Sequence, residues 1–181
     1  MLCAPKSPGP KSRKQFQVQV IMLDDTEIPF QVEPKSLGNE LINMCYQYLK
    51  LIESDYFGLE FLDTKGKKRW LDYDKAVSKQ VQPAGKLMFC VKFYTPDPGQ
   101  LEEEYTRYLY ALQIKRDLSD GHLLCSDATA SLLVSYILQA EIGDYLDSYN
   151  NNPSYFNAKK YFPHQNEEHE KKIVDYHRNH V

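Results

Sequence analysis

The chain has 181 residues, of which 42% are hydrophobic and 26% charged, the balance of an ordinary soluble globular protein with room for one or two domains. A net charge of −3 argues against a globally basic nucleic-acid binder, and no run reaches the roughly 18 apolar residues that span a bilayer. The opening residues MLCAPKSPGPKSRK lack the apolar stretch of a secretory signal, so an intracellular chain is expected.

Residues 1–14 carry Lys6, Lys11, Arg13 and Lys14 without an acid, a charge of +4, among Pro, Ser and Gly. Such a composition buries no core and is expected to be a disordered basic tail, able to make only a weak contact with an acidic membrane. The segments that follow carry −2 over 15–99 and −5 over 100–181.

FQVQVIML alternates Phe16, Val18, Val20 and Met22 with glutamines, the period of a half-buried strand, and IPFQVE resumes that alternation after the turn residues DDTE. The pair predicts a hairpin, with Pro29 marking its second strand as an edge or a bulge. At Leu37 the period changes: Leu41, Met44, Cys45 and Tyr48 predict an amphipathic helix over 36–50, capped by Ser36. YFGLEFLD and RWLD predict two strands around the turn TKGKK, followed by a short helix over 74–81 and a strand over 86–94. Strand, strand, helix, strand, strand, short helix, strand is the order of a ubiquitin-like roll.

TPDPGQ, with two prolines and a glycine, predicts a boundary near residue 95. Beyond it the periodicity is helical. Leu101, Tyr105, Tyr108, Leu109 and Leu112 share a helical face, with Glu102 to Glu104 in the first turn and Lys115 and Arg116 near the end, as the helix dipole favours. Ser126 or Asp127 can cap a helix ending about Glu141, with Leu132, Leu133, Tyr136, Ile137 and Ala140 for burial. A last helix is expected over 166–180. The triplet at Asn152 is Asn-Pro-Ser and is no glycosylation acceptor.

Catalytic signatures are missing: there is no phosphate-cradling loop, no dinucleotide fingerprint and no nucleophile elbow. Three consecutive glutamates fan out at about 100° intervals around a helix and cannot converge on one atom. His164, His169, His177 and His180 cluster late in the chain and read as exposed helix histidines. They form no metalloprotease frame and have no cysteine beside them, so neither a metal nor a cofactor is expected. Cys3, Cys45, Cys90 and Cys125 are widely spaced with no C-x-x-C pair, and three of them sit inside periodic apolar segments, so reduced, buried thiols are expected rather than disulfides or a zinc site. The densest basic cluster is Lys65, Lys67, Lys68 and Arg69, readable as a contact patch for an acidic peptide or head group, or as a charged hairpin tip that keeps an edge from pairing.

The stretches LIESDYFGLEF, RWLD, VKFYTPDPGQLEEEYTRYLYALQIKRDL and LQAEIGDY resemble the FERM domain of the band 4.1 superfamily, especially its branch of protein 4.1, FERM phosphatases and FERM Rho exchange factors. The resemblance covers about residues 15 to 181. It implies an α+β fold: a ubiquitin-like β-grasp lobe over 15–95, then an all-α, acyl-CoA-binding-protein-like helical lobe over 96–181. That second lobe is expected to be incomplete, with Leu109, Leu132 and Ile173 left partly uncovered.

By resemblance the chain is a non-catalytic adaptor between cytoplasmic tails of membrane proteins and the cortical actin and spectrin cytoskeleton, at the cytoplasmic face of the plasma membrane. The alternative is a regulatory end of a larger enzyme or Rho exchange factor; a ubiquitin-like modifier would need a terminal Gly-Gly that VKFYTPDPGQ lacks. Ezrin-like members bind a head group through lysines after a Trp-Leu pair, and here WLDYDKAV places Asp72 and Asp74 there and leaves Lys75.

Overall fold

A computed structural model describes residues 16–149, 155–156 and 160–180; the basic tail at 1–14, Cys3 and the Asn152 triplet lie outside them. The chain divides into two compact units, Met1–Leu109 and Tyr110–Val181.

In the first unit, Phe16–Ile21 (β1) and Glu27–Val32 (β2) form the expected antiparallel hairpin. Gln19 stands opposite Pro29 in an unbroken register, and β2 lies at the sheet edge, so edge placement rather than a bulge accommodates the proline. Phe57–Leu62 (β3), Lys68–Trp70 (β4) and Lys86–Val91 (β5) complete a five-stranded sheet of order β2-β1-β5-β3-β4. The β1–β5 pair is parallel and the others are antiparallel.

The helix Gly38–Leu49 (α1) supplies Leu41, Ile42 and Cys45 to a core shared with Val18, Val20, Phe57, Leu59, Leu87 and Phe89. Burying each large apolar side chain there stabilises by about 1.5–3 kcal/mol. Phe57 and Phe89 stack with centroids 5.2 Å apart. One helix on a mixed sheet is the β-grasp arrangement of a ubiquitin-like lobe.

Four local expectations differ from the structure. Ser36 does not cap α1: Leu37 is the N-cap residue, and the Glu40 carboxylate reaches back to accept its N–H at 3.3 Å. Ser36 is buried, and its carbonyl accepts the Val77 N–H. Tyr48 leaves the core face and is 55% exposed. The short helix after β4 shrinks to a 3₁₀ turn, Val77–Lys79. The last strand ends at Val91, because the Lys92 and Phe93 N–H groups both turn to the Tyr56 carbonyl.

The second unit comprises the later part of Glu104–Ser119 (α2), with Asp127–Ile142 (α3) and Glu167–Arg178 (α4). Ser126 caps α3 by accepting the Thr129 N–H, and Asn166 caps α4 by accepting those of Glu168 and His169. Leu118, Ala130, Val134, Leu138, Tyr161, Phe162 and Ile173 form its core.

The buried stripes of α2 and α3 differ from those expected. Along α2 the buried residues are Thr106, Leu109, Tyr110, Gln113 and Leu118, while Tyr105 and Tyr108 are exposed and Leu112 is half-buried. Along α3 they are Ala130, Ser131, Val134, Ser135 and Leu138, with Tyr136 exposed. Leu109 and Ile173, expected to be partly uncovered, are buried; Leu132 is half-buried. His169 and His177 are buried rather than exposed, whereas Cys125 is exposed rather than buried.

Candidate functional site

The basic cluster sits on the β3–β4 hairpin, and one aspartate organises it. The Asp63 carboxylate accepts the N–H groups of Lys65 at 2.8 Å and Lys67 at 2.9 Å, while the Gly66 N–H donates to the Asp63 carbonyl at 2.9 Å. Gly66 has φ 74, the left-handed conformation that favours glycine. The Lys67 N–H above all, then the Lys65 N–H and the Arg69 guanidinium, hold the Asp63 carboxyl below the usual carboxylate range.

The charges of this tip are only partly met within the lobe. Lys68 pairs with Glu60 at 3.4 Å and Arg69 with Asp63 at 3.3 Å. Among the described residues, Lys65 and Lys67 have no carboxylate partner through their side chains. Lys75 is set apart. It lies in the turn that meets the start of α1, where Gly38 donates to the Lys75 carbonyl, and its ammonium is 2.6 Å from Asp72. That contact holds the Asp72 carboxyl low and the Lys75 ammonium high. The structure thus gathers Lys65, Lys67, Lys68 and Arg69 on one hairpin and leaves Lys75 on the next turn.

Beside the hairpin is a cluster that the sequence alone did not reveal. The Lys92 ammonium lies 5.7 Å from the Trp70 ring centroid, 5.3 Å from that of Tyr73 and 5.2 Å from that of Phe93. A cation held over rings in this way gains about 0.5–1 kcal/mol per exposed contact. Trp70 is 40% and Phe93 59% exposed, so the rings form a surface rather than a pocket. The signal in the sequence is Gly58, a glycine inside a strand, which marks close approach. A Cβ there would lie 3.1 Å from atoms of both Trp70 and Lys92.

The buried Cys45 thiol is pushed up to about 12 by burial, which makes it inert. Among the described residues no cluster of His, Cys, Asp or Glu could hold a metal, and no helix is long and apolar enough to cross a membrane. The first lobe presents a basic and aromatic surface.

Comparison with known proteins identifies the family. The FERM N-terminal domain model matches residues 20–83 and the FERM central domain model residues 96–181. The chain is 44% identical over 170 residues to the Mus musculus FERM, ARHGEF and pleckstrin domain-containing protein 2, covering 93% of this chain and 16% of that protein. It is 41% identical over 171 residues to the Homo sapiens Band 4.1-like protein 3, covering 94% of this chain and 16% of that protein. A crystal structure of the FERM and C-terminal domain complex of Drosophila Merlin superposes with a TM-score of 0.77 at 25% identity, covering 91% of this chain and 59% of that one. The chain therefore spans about a sixth of the length of these curated relatives, at 16% of each. With two domain models in order along most of its length, this chain belongs to the FERM family of band 4.1 proteins, carrying the N-terminal ubiquitin-like lobe and the central helical lobe.

Proposed function

We propose that the chain is a non-catalytic adaptor that links cytoplasmic tails of membrane proteins to the actin and spectrin cytoskeleton at the cell cortex. The observation that carries this reading is the pairing of the two FERM domains with a first-lobe surface built of cations and exposed rings rather than reactive groups. Lys65, Lys67, Lys68 and Arg69 form its contact patch, and Lys75 adds a flanking charge that Asp72 moderates. Contact with acidic lipid is a secondary and weak role, since each cation near such a surface contributes about 1 kcal/mol.

The test is retention on the immobilised full chain. Cytoplasmic-tail peptides of membrane proteins and a spectrin–actin preparation are passed over it, and at least one tail together with the cytoskeletal fraction is expected to bind. Retention of neither overturns the reading.

A second reading is supported by relatives whose names include ARHGEF, with 42–44% identity to this chain. In it the FERM region regulates a Rho exchange domain elsewhere in a longer protein. Nucleotide exchange by such a domain, measured with and without this chain added, separates the two. A changed rate favours regulation, and an unchanged rate leaves the adaptor.

A further inference from the structure

Among the described residues no strand pairs with the outer edge of the sheet at β4, and its hydrogen-bonding groups can be assigned from the register. The Leu71 N–H donates to the Leu59 carbonyl at 2.7 Å, and the Asp63 N–H donates to the Lys67 carbonyl at 2.9 Å. Phe61 stands opposite Arg69 between them. In an antiparallel ladder alternate residues bond inward, so Lys67, Arg69 and Leu71 face β3 while the N–H and C=O groups of Lys68 and Trp70 face away from the sheet. All three residues of β4 are exposed, and β4 ends the strand order.

Many edge strands are blocked by proline, by a bulge or by a covering loop. Neither of the first two occurs in β4, whose register is regular. In their place stand cations at the turn and on the adjoining sheet face. Lys65 and Lys67 project from the turn, and Lys92 lies beside Trp70, held by rings rather than by a carboxylate. The acids nearest the edge are engaged: Asp63 by the turn and Arg69, Glu60 by Lys68, and Asp72 by Lys75. Asp74 is the exposed exception. A basic edge of this kind repels a second copy of itself and complements an acidic strand.

We infer that β4 is a docking edge for an extended acidic peptide segment of a partner protein, which pairs with the outward backbone groups of Lys68 and Trp70. Its carboxylates meet Lys65, Lys67 and Lys92, and one apolar side chain lies on the Trp70 ring. Main-chain bonds then supply the register and side chains the selectivity, as in other strand additions. The inference rests on the adaptor reading and specifies the partner's chemistry.

The probe is an acetylated and amidated octapeptide of alternating glutamate and valine, titrated into the full chain labelled with nitrogen-15. Amide shifts are expected at Lys68 to Trp70 and at the Trp70 indole, with binding at least about tenfold tighter than for the lysine–valine counterpart. A version N-methylated at every residue, which has no N–H left on either edge to complete the ladder, is expected not to bind. Lys68→Pro removes one outward donor without touching an inward one, and is expected to abolish binding that Lys68→Ala retains. Equal binding of the acidic and basic peptides, or shifts confined to other strands, would overturn the proposal. So would binding to phosphatidylserine vesicles without peptide binding, which would assign the cations to a lipid surface. If Lys68→Pro fails to fold, the N-methylated peptide still decides. Should the octapeptide fail while membrane-protein tails are retained on the chain, strand docking falls and the adaptor reading stands.

Discussion

The Tyr155 hydroxyl donates to Nδ1 of His177 across 2.6 Å inside the helical lobe. The other ring nitrogen, Nε2, lies 2.9 Å from the Gly143 carbonyl. A carbonyl only accepts, so Nε2 carries the proton and Nδ1 must accept. His177 is 1% exposed, and each of its nitrogens is satisfied in the neutral form. Tyr155→Phe leaves Nδ1 buried without a donor, at a cost of about 1–3 kcal/mol. A urea midpoint that does not move relative to the native chain would show that this bond contributes nothing.

Trp70 is the chain's single tryptophan, so its fluorescence reports on the surface beside β4 without background. A Cβ on Gly58 would lie 3.1 Å from one indole carbon and 3.2 Å from another. Gly58→Val drives two further carbons into that space. The expected outcome is a red-shifted emission with easier acrylamide quenching, and a loss of about 1–3 kcal/mol from overpacking. Unchanged emission would mean the ring does not rest on Gly58.

Asp63 predicts a pH dependence whose sign follows from its depressed carboxyl. Its stabilisation of the hairpin is fully present above the unfolded-state pKa, about 3.9 for an aspartate, and is lost as pH falls through the lower folded value. The amide resonances of Lys65 and Lys67 should therefore titrate with a midpoint below 3.9, about the ordinary aspartate value. Asp63→Asn should remove that titration and broaden the turn amides. A midpoint at or above the ordinary value contradicts the turn geometry.

The thiols of the described residues divide by burial. Cys45 and Cys90 are buried and Cys125 is exposed. At pH 8 a charged alkylating reagent should modify Cys125 rapidly in the folded chain and reach Cys45 and Cys90 only after denaturation, as peptide mass mapping can follow. Modification of Cys45 at a rate like that of Cys125 would show that its burial, which pushes the thiol up to about 12, is wrong.

The division between sequence and structure follows the range of the forces involved. The order and kind of most elements were legible from local signals: alternation in β1 and β2, the change of period at Leu37, the cap at Ser126 or Asp127, and the turn TKGKK. These depend on residues a few positions apart, and the quoted motifs carried the family with them. The basic hairpin tip was legible for the same reason.

What tertiary structure decided concerns partners distant along the chain. Along α2 and α3 apolar and aromatic residues surround the helix, so periodicity alone could not choose between Tyr105 and Thr106, or between Tyr136 and Val134, as the buried side. Neighbouring elements made that choice. The same holds for His177, whose burial depends on Tyr155 and the Gly143 carbonyl. Lys92 joins Trp70 and Tyr73 because β5 and β4 lie on either side of β3, a strand order set by long-range pairing. The sequence by itself determined that a basic hairpin exists; only the pairing of β4 on one side decided that its other side has no strand partner among the described residues.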